Sequence, residues 1–139
     1  MSPDTSPPWF LVVAVLGLLW NLIGVGAFFA QLAMDPSGLP TAQRDWYESQ
    51  PAWAVAGFAA AVFGGSIGCV GLLLRKTWAL PALVVSLVGF LVQALHSFVF
   101  SNGLEVFGVS GVVQPALVFV IACLLIWLAR TARERGWTG

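Results

Sequence analysis

The sequence predicts an all-α membrane protein, a bundle of four transmembrane helices with both termini in the cytoplasm. Of its 139 residues, 59% are hydrophobic and only 9% are charged, whereas a soluble domain carries about a quarter charged residues. The charges are confined to short stretches between long apolar runs, and the basic residues collect on one side of the predicted membrane. This composition excludes a soluble enzyme, a nucleic-acid-binding protein and a disordered tail.

The apolar runs determine the number of helices. Four runs without a charged residue each exceed the roughly 20 residues that a helix needs to cross a hydrocarbon core. Because backbone groups in lipid must be paired within their own segment, each run is predicted to be helical. The chain is therefore a single domain over residues 1–139, with predicted helices at 9–33, 52–74, 78–100 and 112–129.

The basic residues predict the orientation. Arg75 and Lys76 lie between the second and third predicted helices, and three arginines follow the fourth, on the same side of the membrane. Arg44 is the single basic residue on the opposite side. By the positive-inside rule, the N- and C-termini of this multi-pass protein are expected to lie in the cytoplasm.

The two connections on the outer side differ in character. Residues 35–38 predict a turn, and 40–50 predict a short helix resting on the membrane surface through Trp46 and Tyr47. Residues 101–111 are predicted to be a loop lying on the bundle, with a shallow re-entrant segment as the alternative.

Small residues recur along the second predicted helix at four-residue spacing, a pattern that lets helix backbones approach closely in lipid. Packing within the bundle is the favoured interpretation. The alternative is a homodimer through Gly57, Ala61 and Gly65, or through Gly64 and Gly68.

Uncharged polar side chains inside the helices indicate a candidate site. On the third predicted helix, Gln93, His96 and Ser97 recur at helical spacing, continuing from Ser86 and Gly89. Polar groups are costly in lipid, so this face should look into the bundle or a wet cavity. The predicted ligand-binding residues lie mostly at one depth in the outer half, and they are Asn21, Gln31, Gln93, His96, Ser97, Glu105 and Gln114. The alternative interpretation is a network of interhelical hydrogen bonds.

The chemistry of these residues is limited. No predicted helix contains a charged residue. Proton-coupled exchangers and voltage sensors need charged residues within the membrane, so neither function is predicted. A lone histidine and two cysteines make a poor haem or metal site, so no cofactor, metal or catalytic residue is predicted. His96 with Glu105 is the single candidate acid–base pair.

Several short stretches resemble a family of small bacterial four-helix inner-membrane proteins, some of which carry the label "sugar transporter". The stretches are Trp20-Asn21-Leu-Ile-Gly24, Pro51-Ala52-Trp53, Gly64-Gly65-Ser-Ile-Gly68-Cys69, Leu72-Leu73-Leu74-Arg75-Lys76 and Gln93-x-x-His96-Ser97. The topology is also loosely similar to that of DoxX-type proteins. The resemblance implies a four-helix fold in the bacterial inner (plasma) membrane and assigns no catalytic residue.

Three hypotheses follow. The first is a protein that binds or transports a neutral small solute, such as a sugar, through an uncharged polar pocket in the outer half; with only four helices, transport predicts a homo-oligomer. The second is a non-catalytic accessory subunit that docks on a larger membrane complex. The third, and least favoured, is a membrane enzyme acting on a lipid or quinone. Lipid is the partner common to all three, and nucleic acid is excluded.

Overall fold

Four long apolar helices dominate the computed structural model, which describes residues 6–139, and the predicted all-α fold is confirmed. Each is long and apolar enough to cross a membrane, so the chain is a small multi-pass membrane protein. The last turn of the third long helix, His96–Phe100, widens into a π-helical turn. The helices are α1 (Pro8–Ala33), α2 (Thr41–Glu48), α3 (Ala52–Leu73), α4 (Ala79–Leu95), α5 (Gly103–Phe107) and α6 (Ser110–Glu134).

Local chemistry explains the helix ends. Pro8 is the first residue of α1 and Pro51 directly precedes α3, positions at which a missing N–H or a fixed φ costs little. The prediction for the fourth long helix stopped at 129, but α6 continues to Glu134. Its last turns are polar and carry an ion pair at i,i+4 spacing between Arg130 and Glu134, with 3.4 Å between nitrogen and oxygen.

The small residues of α3 are used inside the bundle. A Cβ atom on Gly89 of α4 would lie 2.7 Å from the carbonyl oxygen of Gly57, so the α3 and α4 backbones are in direct contact. Gly64 and Gly68 also face α4, and Gly65 faces α1. The stripes considered for a homodimer therefore contact helices of the same chain.

The four long helices pack in the order α1, α3, α4 and α6, and the ring is closed only weakly between α6 and α1. We call the end that carries Arg75 and Lys76 the basic end. The most deeply buried large side chains lie in the half adjoining it and include Phe10, Leu72 and Leu128. The C-terminal Trp137 folds over Phe10, with their ring centroids 5.6 Å apart, and completes this core.

The turn between α3 and α4 is fastened to the C-terminal tail. Arg75 adopts a left-handed conformation, with φ of 56°, and the next amide, that of Lys76, donates back to the Gly71 carbonyl at 2.8 Å. The Gly139 amide donates to the Arg75 carbonyl at 2.9 Å, and Arg133 donates to the Thr77 carbonyl at 3.3 Å. These bonds hold the tail against the basic end.

The opposite end, which we call the capped end, is covered by α2 and α5. A 3₁₀ turn, Pro36–Gly38, leads into α2, and the Asp35 carboxylate accepts the Ser37 amide, which lowers the pKa of that carboxyl group. Trp46 differs from its prediction as a surface anchor. It is only 8% exposed because its ring turns toward the bundle, where Nε1 donates to Ser101 Oγ at 3.0 Å.

Candidate ligand-binding cavity

A cavity of about 380 Å³ occupies the capped half of the bundle. All four long helices line it, and α2 and α5 close it at the capped end. This volume is within the range of small-molecule sites in proteins, about 300–1,000 Å³. None of the described residues that line it is charged, so the cavity offers hydrogen bonds and apolar contact without a fixed ionic partner.

The cavity exists because α1 and α6 diverge. In the basic half they touch: a Cβ atom on Gly17 would lie 2.8 Å from the side chain of Leu125. Helix α1 packs on α3 in both halves: a Cβ atom on Gly17 would lie 3.1 Å from Cys69 Sγ, and nearer the capped end a Cβ atom on Gly24 would lie 2.8 Å from Val62. The space that opens between α1 and α6 is the cavity.

The polar face predicted on the third long helix divides into two. Residues separated by seven or eleven positions lie close to one another on an α-helix, so Ser86, Gln93 and Ser97 share a direction and all line the cavity. Gly89 and His96 are rotated by roughly 80° from Ser97, toward α3. Neither of them lines the cavity.

Three polar side chains in the cavity are uncommitted. Within residues 6–139, the side chains of Gln93, Ser97 and Gln114 form no hydrogen bond. Gln31 Nε2, by contrast, donates to the side-chain oxygen Oε1 of Gln50 at 2.8 Å, and Ser86 donates to the backbone carbonyl of Ala61 at 2.5 Å. Two amides and a hydroxyl therefore remain to donate to or accept from a bound molecule.

Asn21 lines the opposite end of the cavity, but its amide nitrogen already has partners. Nδ2 donates to the Gly17 carbonyl at 2.8 Å and lies 3.8 Å from Cys69 Sγ. A Cβ atom on Gly65 would overlap the Asn21 side chain. Asn21 therefore joins α1 to α3, in line with the alternative interpretation of interhelical bonding.

His96 and Glu105 lie away from the cavity. The His96 ring is only 4% exposed and packs between Trp46 and Trp53, with centroid distances of 5.7 and 5.5 Å. Glu105 is exposed on α5. No hydrogen bond or ion pair joins the two side chains in the part of the chain that the structure describes. Of the seven predicted site residues, the structure brings together the other five, Asn21, Gln31, Gln93, Ser97 and Gln114.

Three aromatic residues of the cavity, which we call the aromatic cap, were not predicted from the sequence: Trp46, Tyr47 and Phe107. Phe107 lies 5.1 Å from the Trp46 ring centroid and 5.8 Å from that of Tyr47, and all three residues line the cavity. Burial raises the pKa of the Tyr47 hydroxyl above its ordinary value. The available indication was the apolar stretch that contains Phe107 and follows the Asn102-Gly103 turn.

Among residues 6–139, no group of histidine, cysteine or acidic side chains could hold a metal ion. Neither a protein-family model, a curated protein nor a solved structure matches this chain. Its composition and four long helices establish a small multi-pass membrane protein, and any ligand must be argued from the cavity itself.

Proposed function

We propose that this protein binds a small neutral solute, such as a sugar or another polyol, in the cavity of its capped half. The observation that carries the proposal is the set of uncommitted side chains of Gln93, Ser97 and Gln114 around an uncharged cavity of about 380 Å³.

The lining chemistry favours neutral, hydroxylated ligands. Amide groups both donate and accept, as hydroxyl groups do, so each ligand hydroxyl can find a complementary partner. An ionised ligand would lose its hydration without gaining an opposite charge, which is strongly unfavourable in an apolar interior. The rings of Trp46 and Phe107 add flat apolar surfaces against which the C–H groups of a sugar can pack.

The experiment compares Gln93→Leu with Gln43→Leu, a substitution of the same kind on α2, outside the cavity. Thermal unfolding of each purified protein is followed in detergent with glucose, glycerol or sodium gluconate. A ligand at about 100 times its Kd stabilises the folded state by about 2.7 kcal/mol. We expect glucose or glycerol to raise Tm for the parent and for Gln43→Leu, but not for Gln93→Leu.

Equal stabilisation of all three proteins would contradict the proposal, since binding would then not involve Gln93. Stabilisation by gluconate alone would contradict the neutral character of the ligand.

We further infer that the capped end faces the periplasm of a bacterial inner membrane, with both termini cytoplasmic. The support is the charge distribution: five of the six basic residues lie at the basic end, and Arg44 alone at the other. Single cysteines at Ser37 and Gly139 test this in a variant lacking Cys69 and Cys123. A membrane-impermeant maleimide applied to intact cells should label position 37 and not 139, and the reverse pattern would invert the topology.

Transport is a second candidate, because the cavity is open between α1 and α6 in the capped half, whereas these helices touch in the basic half. The packed side chains of Leu83 and Leu125 lie between the cavity and the basic end. Transport therefore requires α1 and α6 to separate there. Glucose uptake into proteoliposomes that is lost in Gln93→Leu would support it, and binding without uptake would limit the function to binding.

A further inference from the structure

The gap between α1 and α6 leads sideways out of the cavity. Ile23 and Ala27 on α1 line the cavity and are nevertheless exposed, Ile23 to 70%. Gln114 on α6 also lines the cavity and is exposed. Both helices belong to the membrane-spanning segments, and Ile23 and Ala27 are well inside α1. This side of the cavity therefore faces hydrocarbon rather than water.

The route from water is more obstructed. The aromatic cap lies over the cavity at the capped end, and α5 packs on the π-helical turn His96–Phe100. A Cβ atom on Gly103 would lie 2.9 Å from the Ser97 carbonyl oxygen and 3.3 Å from Trp46 Nε1. A solute arriving from the aqueous side would have to displace α5 and the rings.

Polarity changes along the cavity. Its uncommitted polar groups, on Gln93, Ser97 and Gln114, lie near the capped end. Along α6 the lining then becomes apolar, through Val118 and Ile121 to Leu125. Since a helix rises 1.5 Å per residue, Gln114 and Leu125 are roughly 16 Å apart along the axis. Asn21 also lies at this far end, where its amide nitrogen donates to the Gly17 carbonyl. Apart from that side chain, the cavity has a polar end and an extended apolar end.

From this geometry we infer that the ligand is a neutral single-chain amphiphile that enters from the bilayer between α1 and α6. Its hydroxylated head binds Gln93, Ser97 and Gln114 beneath the aromatic cap, and its hydrocarbon chain lies along the gap toward Leu125. The inference rests on the proposed function, which it narrows from any neutral polyol to one that carries a hydrocarbon chain. An uncharged head suits the uncharged lining, and a chain suits an entrance within the hydrocarbon.

The test uses a monoacylglycerol with a photoreactive diazirine in its acyl chain. The parent protein in liposomes is irradiated with the probe, and the labelled residues are identified by mass spectrometry. We expect label on the cavity-facing residues of segments 20–27 and 118–125. Ala27→Trp fills the gap and should lower this labelling about tenfold, equivalent to about 1.4 kcal/mol. The matched variant Ala30→Trp, at an exposed site on the same helix that does not line the cavity, should label like the parent.

Ala122→Trp fills the gap from α6 and replaces Ala27→Trp in the labelling experiment if Ala27→Trp does not fold. Labelling spread over all lipid-facing helix surfaces, and unchanged by either variant, would overturn the inference. Stabilisation by free glycerol or glucose that depends on Gln93, without site-specific labelling by the probe, would leave the proposed function standing and overturn the amphiphile. If the parent protein shows neither stabilisation by glycerol or glucose nor site-specific labelling by the probe, both proposals are overturned.

Discussion

The two halves of the bundle are built from the same four helices, but they differ in how α1 meets α6. In the basic half, Gly17 receives the side chain of Leu125, and Trp137 covers Phe10. In the capped half, α1 keeps its contact with α3, where the ring centroids of Phe28 and Phe58 are 5.4 Å apart, but the space between α1 and α6 stays open.

Hydrophobicity does not explain the difference, because α1 and α6 are apolar through both halves. Lipid chains solvate apolar side chains as well as protein does, so helices associate where their surfaces interlock. A glycine facing a leucine provides such a fit in the basic half. In the capped half, α1 and α6 have no such fit, and the side-chain amides of Gln93 and Gln114 there have no hydrogen-bond partner among the described residues. The cavity in this membrane bundle therefore reflects missing shape complementarity between two helices.

The largest expected effect comes from removing a tightly packed side chain from the basic half. Leu128→Ala removes a side chain that is 1% exposed, and we expect it to lower the free energy of unfolding by about 2–5 kcal/mol through lost packing contacts. The measurement is SDS-induced unfolding in mixed micelles. Leu124→Ala is the control one turn away, since Leu124 is 56% exposed and lipid can replace its contacts. Equal losses would show that the basic half is not the tightly packed region.

A smaller loss is expected at the contact between α3 and α4. Gly89→Ala would bring a methyl group to 2.7 Å from the Gly57 carbonyl and 2.8 Å from the Ala61 amide nitrogen, and backbone cannot easily move. We expect about 1–3 kcal/mol of destabilisation in the same assay, from overpacking. Gly26→Ala is the control, because nothing lies within 4 Å of a Cβ there. A neutral Gly89→Ala would contradict the close approach of the two backbones.

The fold was predictable because the bilayer constrains it strongly. Charge-free runs longer than 20 residues must be helices in lipid, and the predicted ends at 33 and 74 differ by at most one residue from those of α1 and α3. The end of α6 was missed, since Arg130 and Glu134 stabilise helix outside the apolar run and hydropathy does not register that.

The candidate site was less predictable, because it depends on how each helix is rotated and on turns in the backbone. Spacing placed Gln93, His96 and Ser97 on one broad face, but a rotation of about 80° separates a cavity-lining residue from one packed against α3. The position of Trp46 depends on its bond to Ser101, which is 55 residues away in sequence. Periodicity contains no information about such a contact.

A buried hydrogen bond in the middle of the bundle should contribute less than packing. Ser86→Ala removes the bond to the Ala61 carbonyl, and we expect it to lower the free energy of unfolding by about 1 kcal/mol, because the membrane offers that carbonyl few other donors. Ser110→Ala is the control, since that hydroxyl also donates to a carbonyl but is exposed. If both variants lose the same amount in the SDS assay, burial of Ser86 does not strengthen its bond.

The smallest effect should arise at the aromatic cap and remain local to the capped half. Trp46→Phe keeps a ring beside Phe107 but removes the bond from Nε1 to Ser101, and we expect about 0.5–1 kcal/mol of destabilisation. Hydrogen exchange should become faster in the amides of α5 and remain unchanged in those around Leu128, because α5 packs at the capped end and Leu128 belongs to the buried core next to the basic end. Trp127→Phe, on an exposed face of α6, is the control that should alter neither. Faster amide hydrogen exchange around Leu128 in Trp46→Phe would mean that the aromatic cap and the core of the basic half unfold as one unit. The two halves of the bundle would then not unfold independently of each other.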